Sequence, residues 1–429
     1  MEIKIIGGGL AGAEAAYQIA RRGGDVVLYE MRPSVFTPAH KTPYLSELVC
    51  SNSLKSTELT NAHGLLKEEL RRLDSIIIRI ADETSIPGGK ALVVDREVFS
   101  RRITEEIESN PRITVVRKEI GDIPEGIVII ATGPLTSDDL TEGIKTRTGV
   151  HNLYFYDAIS PIIDGDSIDM DKAFFGSRYL KDADDYLNCP LTEEEYDTFY
   201  EELTHAGRVD LKDFEDVPYF EGCLPIEVMA ERGEKTLLYG PMKPVGLEDR
   251  RIRNNPCAVI QLRRENEEGT MYNMVGFQTK LKYQEQERVF SLIPALRNAV
   301  FLRHGSIHRN TYINAPKLLN EKLQLRGDER ILFAGQITGV EGYVESTASG
   351  LVAGLSAHTA ATGRGFVPPP EDTCVGSLMR YVSTETDNFQ PMNINFGLLK
   401  GYNKRQKEKA IACALESTEE WKEAVGGRR

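Results

Sequence analysis

Short apolar runs broken by glycine-rich turns recur at both ends of the chain, and between them lies a stretch with a different pattern. Glu2–Ile6 reads as an apolar strand that runs into Gly7-Gly8-Gly9-Leu10-Ala11-Gly12, with a helix expected to open near Ala13. Asp25–Tyr29 reads as a second strand, and Ala91–Val94, Ile113–Arg117 and Gly126–Ile130 are further apolar runs of strand length. Gly64–Leu73 carries an amphipathic helical period, and Asp95-Arg96 caps a helix through Ile107. From about Ser160 the pattern changes. Leu191–His205 reads as a helix, while Asn255–Leu262 and Met271–Phe277 alternate like strands of a mixed sheet. Arg330–Ala334 is again a buried-type strand, followed by the glycine-rich stretch Gly335 to Tyr343 and a small-residue helix, Val344–His358. After Pro368-Pro369-Pro370 the tail reads as helical pieces with a basic run, Lys400–Lys409.

Gly7, Gly9 and Gly12 form GxGxxG between a strand and a helix. Such glycines allow a tight turn, close approach of backbone to a pyrophosphate, and close helix-to-strand packing, with Gly8, Leu10 and Ala11 completing the turn. The motif alone is weak. It gains force from Glu30, eighteen positions after Gly12 at the end of the second strand, where a carboxylate can accept hydrogen bonds from ribose hydroxyls, with Arg32 beside it. A second mark is Ala131-Thr132-Gly133 after the apolar run ending at Ile130. Gly335, Gln336, Gly339, Glu341, Gly342 and Tyr343 supply the third, a turn and helix start suited to ribityl and isoalloxazine. The order of these marks predicts an α/β fold. Its core is a Rossmann-type FAD-binding domain of glutathione-reductase-like flavoprotein fold, built from residues 1–157 and 326–429, with an inserted α+β domain over 158–325.

The length of 429 residues agrees with two domains, and 41% hydrophobic with 27% charged residues is the composition of a soluble globular enzyme. No apolar run reaches membrane-span length, and Met1 leads directly into the first strand, so a cytoplasmic protein without membrane attachment is expected. Cysteines 50, 189, 223, 257, 374 and 413 show no metal-ligand spacing, so no metal is expected, and each taken alone reads as a small core residue. The net charge of −13 is uneven. Residues 164–216 hold 17 Asp or Glu against 5 Lys or Arg, whereas 243–330 hold 16 Lys or Arg against 10 Asp or Glu. That basic segment, with Arg250, Arg251 and Arg253 at its start, is compatible with a polyanion docking on one face or with an ordinary mixed-charge surface.

Five blocks, LSELVCSNSLKS (45–56), FEGCLPIEVMAERG (220–233), YGPMKPVGL (239–247), HRNTYINAP (308–316) and FAGQITGVEGYVESTASGLVAG (333–354), resemble the folate- and FAD-dependent tRNA (uracil-5-)-methyltransferases. The resemblance implies transfer of a one-carbon unit from 5,10-methylenetetrahydrofolate to C5 of the T-loop uridine at tRNA position 54, with reduced FAD carrying the methylene and NAD(P)H reducing the flavin. By motif, Cys223 corresponds to the family's nucleophile at uracil C6 and Cys50 to its general base or methylene-handling partner. His308, Arg309 and Asn310 are suited to holding a pterin or the uridine, though from sequence alone a core histidine is the stronger reading there, and Tyr343 reads equally as a stacking or a packing residue. A wobble-uridine-modifying flavoprotein family shares the N-terminal fingerprint but carries a longer C-terminal region. A small-molecule NAD(P)H flavin oxidoreductase and a non-catalytic RNA-binding flavoprotein are the readings from other classes. The absence of a second GxGxxG argues against the former.

Overall fold

The computed structural model describes residues 2–149, 153–180, 183–209, 219, 224–247, 256–386 and 389–426. Its central sheet consists of β1 (Ile3–Ile6), β2 (Val26–Glu30), β3 (Ile113–Arg117), β4 (Ile127–Ile130) and β5 (Asp328–Phe333), ordered β5-β4-β1-β2-β3. These strands are parallel, with Ile3 level with both Val26 and Ile127. An antiparallel edge piece, Gln324–Leu325, pairs with β5. Parallel strands are covered on both faces, which is why the β4 run IVII is buried at every position. In the chain's own strand order this is 3-2-1-4-5, the doubly wound arrangement whose ligand crevice opens at the carboxyl ends of the strands.

The first helix, α1 (Leu10–Ala20), starts at Leu10, three residues before the expected Ala13. Gly12 therefore lies inside its first turn. The small-residue helix α2 runs from Tyr343 to Thr362 and crosses α1 closely: a Cβ at Gly350 would stand 2.3 Å from the carbonyl oxygen of Ala11. Small residues on both helices permit that approach, and nearly every α1 position is buried.

Between β2 and β3 the chain forms helices Ala62–Arg72, Ile76–Glu83 and Arg96–Ser109 around a three-stranded antiparallel sheet, Ser53–Ser56, Ala91–Val94 and Ser85–Ile86. Asp95 caps the last of these helices by accepting the Val98 N–H. The middle of the chain builds a second core. Six antiparallel strands are ordered 174–175, 186–191, 258–264, 271–274, 162–164 and 301–303, with helices Glu193–His205, Ile226–Glu231 and Tyr283–Phe290 packed against them. The expected strands at 255–262 and 271–277 correspond to Ala258–Arg264 and Met271–Met274. The helix expected from Leu191 starts at Glu193, because Thr192 and Glu195 form a capping box.

Two strands, Leu153–Ile159 and Ser306–Tyr312, pair antiparallel where the chain leaves and re-enters the nucleotide-fold half, and this ladder sets His308 opposite Asp157. The C-terminal helix Lys407–Gly426 lays Trp421 against Val367, whose carbonyl accepts the indole N–H. No helix among the described residues is long and apolar enough to cross a membrane.

Candidate active site

The glycine turn after β1 is pressed against the turn after β4. At Gly7, whose φ is +102°, a Cβ would lie 2.6 Å from the Ala131 carbonyl oxygen and 2.7 Å from the Thr132 Cα, so only glycine fits. The direction of a Cβ at Gly9, in contrast, is open for 4 Å, and no side chain caps the α1 N-terminus there. An uncapped helix N-terminus facing open space fits a dinucleotide pyrophosphate. Beside it runs a cavity of about 80 Å³ whose walls include Gly7, Gly9, Glu30, His40, Lys118 and Thr132. His40 and Lys118 carried no sequence signal. The available clue was positional, since Lys118 follows the carboxyl end of β3, where ligands of this fold bind.

Glu30 is buried and already well bonded. Its carboxylate accepts the Gly8 N–H at 3.0 Å, the Arg32 N–H at 3.0 Å and the Arg32 guanidinium at 2.9 and 3.1 Å. Although burial alone would raise it, the Arg32 bonds and charge hold this carboxyl below the ordinary carboxylate range. Arg32 in turn reaches Glu47 at 3.0 Å, so its guanidinium is fixed between two acids. An ionised carboxylate held at the rim of the cavity suits paired ribose hydroxyls.

The second glycine turn shapes the other side. The Gln336 amide donates to both carboxylate oxygens of Glu341, at 2.9 and 2.8 Å, and Ser349 Oγ accepts the Gly335 N–H at 2.6 Å. Burial, with Asp157 nearby, raises the Glu341 carboxyl well above its ordinary range. A strip after Phe389, absent from the sequence expectations, backs this turn: Met392 exchanges backbone hydrogen bonds with Gly339 and Glu341.

Cys50 sits where these parts meet. Its N–H donates to the Tyr343 hydroxyl at 2.8 Å, and the Ser51 N–H donates to the same oxygen at 3.2 Å. The Tyr343 hydroxyl thus ties the cysteine loop to the start of α2. From the other side, Arg96 donates to the Leu48 and Val49 carbonyls while bonding Glu265, and Arg303 donates to the Val49 and Ala39 carbonyls. Buried Arg263 holds Asn52 and Ser51. Two arginines of the basic segment, Arg263 and Arg303, are therefore internal braces rather than surface charge. The Cys50 thiol lies 3.6 Å from Asp157 Oδ2, to which the Asn310 amide also donates at 3.4 Å. His308 is held through Nε2 by Ser306 Oγ at 2.9 Å. Burial, reinforced by Arg303 and Lys41, lowers its imidazole to about 4, so the ring is neutral at pH 7.

Glu30, the Gly7 and Gly335 turns, Tyr343, Cys50, His308 and Asn310 are thus gathered along the carboxyl ends of the central strands and the ladder above them. Cys223, Arg250, Arg251, Arg253 and the Arg309 side chain lie outside the described residues. Asp157, Arg96 and Arg303 were not singled out from sequence, because isolated charged residues far apart in the chain leave no periodic trace.

Residues 2–365 match the family described as GIDA, glucose inhibited division protein A. In fold the chain is similar to Aquifex aeolicus GidA, with a TM-score of 0.72 at 16% identity, covering 99% of this chain and 74% of that one. A methylenetetrahydrofolate--tRNA-(uracil-5-)-methyltransferase TrmFO from Citrifermentans bemidjiense is 58% identical over 428 residues, 98% of each chain. The chain belongs to the TrmFO family. Its TrmFO relative from Aquifex aeolicus is 56% identical over 427 residues, 98% of this chain and 96% of its own length.

Proposed function

We propose that this TrmFO-family enzyme methylates C5 of the T-loop uridine at tRNA position 54, taking the carbon from 5,10-methylenetetrahydrofolate in an FAD- and NAD(P)H-dependent reaction. The observation that carries the reading is the placement of Cys50 at the junction of the flavin-type turn, the 153–159/306–312 ladder and the arginine braces. FAD, when bound and reduced by NAD(P)H, supplies the electrons and carries the one-carbon unit.

Uracil C5 is a poor nucleophile until a thiolate adds at C6 and converts the ring to an enolate. We assign that addition to Cys223 from its motif. Its described neighbours support the assignment, since Tyr219 bridges to Tyr156, next to Asp157, and Leu224 is buried. Cys50 then takes the C5 proton. Its loop is fixed at the backbone by Tyr343, Arg96 and Arg303, which keeps the sulfur in place without occupying it. The neutral His308 ring offers a flat face to a pterin or base, and Asn310 steadies the carboxylate beside the thiol. Glu30 and the uncapped α1 N-terminus hold the dinucleotide, and the insertion, residues 158–325, contributes the RNA side. With tRNA and reduced folate as substrates, the enzyme works in the cytoplasm.

The test incubates purified protein with unmodified tRNA, NAD(P)H and methylenetetrahydrofolate, then maps new nucleosides by nuclease fragmentation and mass analysis. A 5-methyluridine confined to the T-loop fragment is expected. Modification confined to the anticodon fragment would mean a wobble-uridine enzyme, and flavin turnover with unaltered RNA a small-molecule oxidoreductase.

A further inference from the structure

We propose that Asp157 is the proton partner of Cys50: a positioning residue that takes the thiol proton and thereby lets the sulfur accept the proton from uracil C5. The proposal rests on the reading of Cys50 as the group that removes that proton.

Asp157 lies on the Leu153–Ile159 strand, 107 positions from Cys50 in sequence, yet its Oδ2 faces the sulfur at 3.6 Å, within reach of an S–H donor. Asp157 is 7% exposed, and the Asn310 amide, from the paired strand, donates to the same oxygen at 3.4 Å. A carboxylate is costly to place in such surroundings unless donors hold it, and the Asn310 amide and the Cys50 thiol are two that do.

Groups from each neighbouring element face the sulfur. Arg96 comes from the helix Arg96–Ser109, Arg303 from the strand Phe301–Arg303, Tyr343 from α2 and Asp157 from the ladder. Glu341 and His308 stand in the next layer, Glu341 feeling Asp157 and His308 standing opposite it in the ladder. Burial and Asp157 push the thiol up, while the two arginines pull the other way. The resting sulfur therefore keeps its proton, and a group able to remove that proton must be at hand for Cys50 to act as a base.

The steps balance without a further reactant. The S–H bond of Cys50 breaks as its proton passes to Asp157 Oδ2. The C5–H bond of the alkylated uracil then breaks, with the proton going to the Cys50 sulfur and the electron pair remaining in the ring. Asp157 finally releases its proton to solvent, leaving a protonated Cys50 and an ionised Asp157 as at the start.

The experiment uses the FAD-bound enzyme with two readouts. One follows alkylation of Cys50 by iodoacetamide against pH, read by mass on the Cys50 peptide. The other follows tritium release from tRNA bearing 5-tritiated uridine. In Asp157→Asn the alkylation midpoint should fall by about one pH unit or more, since the charge and acceptor that favour the thiol are gone, yet burial still keeps the thiol protonated at neutral pH, where no acceptor then remains to take its proton. Tritium release should slow at least about tenfold in kcat, with little change in KM for tRNA, and Asp157→Glu should recover part of it. Asp157→Ser is used if Asp157→Asn loses its flavin. An unchanged midpoint together with an unchanged release rate would overturn the role of Asp157. If Cys50→Ala also releases tritium at the normal rate, the reading of Cys50 itself fails. If Cys50→Ala abolishes release while Asp157→Asn leaves it intact, only the role of Asp157 fails.

Discussion

The Tyr343 hydroxyl accepts two backbone N–H groups, those of Cys50 and Ser51, and so converts a side chain of α2 into a clamp on the reactive loop. Tyr343→Phe removes both bonds while keeping the ring. Each is worth about 1 kcal/mol, and the two donors are left partly buried, so a stability loss of about 1 to 3 kcal/mol is expected in denaturant unfolding. Flavin should be retained while the methylation rate falls. Glu30→Gln tests the nucleotide end. It preserves shape but removes the charge that Arg32 and ribose hydroxyls bind, and charge-assisted bonds contribute about 1.5 to 3 kcal/mol each. FAD affinity should weaken by about tenfold or more, visible as loss of yellow colour on gel filtration, and unaltered retention would contradict the assigned role. Glu30 and Cys50 were legible from sequence because fixed spacing or a motif marked them. The Tyr343 clamp was not, since an aromatic residue in a glycine turn reads as a stacking or packing surface and its hydroxyl leaves no trace, and Asp157 was invisible because its partner is distant in the chain.

At the scale of elements, short apolar runs were the easiest to read: Ala91–Val94, in the small antiparallel sheet, and Ile113–Arg117, in the parallel one, occur with the expected bounds. The helix Ile76–Glu83 gave no clear signal. Its run of isoleucines resembles a buried strand, and what makes it a helix is Ser75, whose side chain accepts the Ile78 N–H. Another helix start gives a pH prediction. Fully buried Glu69 accepts the N–H groups of Cys374 and Val375, at 2.8 and 2.9 Å, and so caps the helix Cys374–Ser383 from a different helix. Burial raises its carboxyl to about 7 despite those bonds. The native state therefore holds a proton that the unfolded chain loses near 4.5. The stabilisation linked to that proton is complete below about 4.5 and disappears as pH rises through 7. Relative to Glu69→Gln, the wild type should lose up to about 1.4 kcal/mol per pH unit over that window. Thermal melts of the two proteins from pH 4.5 to 8 measure the difference, and a wild type that gains on the variant as pH rises would contradict it.

Across the whole molecule, the doubly wound order came from the sequence of turns, whereas the way the middle of the chain grips the Cys50 loop did not. Arg263 and Arg303 belong to the second sheet, and Glu265 directly follows its strand Ala258–Arg264, yet they bond residues 39 to 52 or the helix that holds them, so the cysteine loop is shared by both cores. The same contacts change the meaning of the basic balance over 243–330, part of which braces the interior and leaves less charge for RNA. An account in which both cores converge on one uracil and one folate has a direct test: the origin of the transferred carbon. The enzyme is given unmodified tRNA, NAD(P)H, methylenetetrahydrofolate carrying a ¹³C methylene and S-adenosylmethionine carrying a deuterated methyl, and the nucleosides are weighed. The account predicts 5-methyluridine that contains the ¹³C and none of the deuterated methyl, and a product carrying the deuterated methyl, or no 5-methyluridine from a fully flavinylated enzyme, would contradict it.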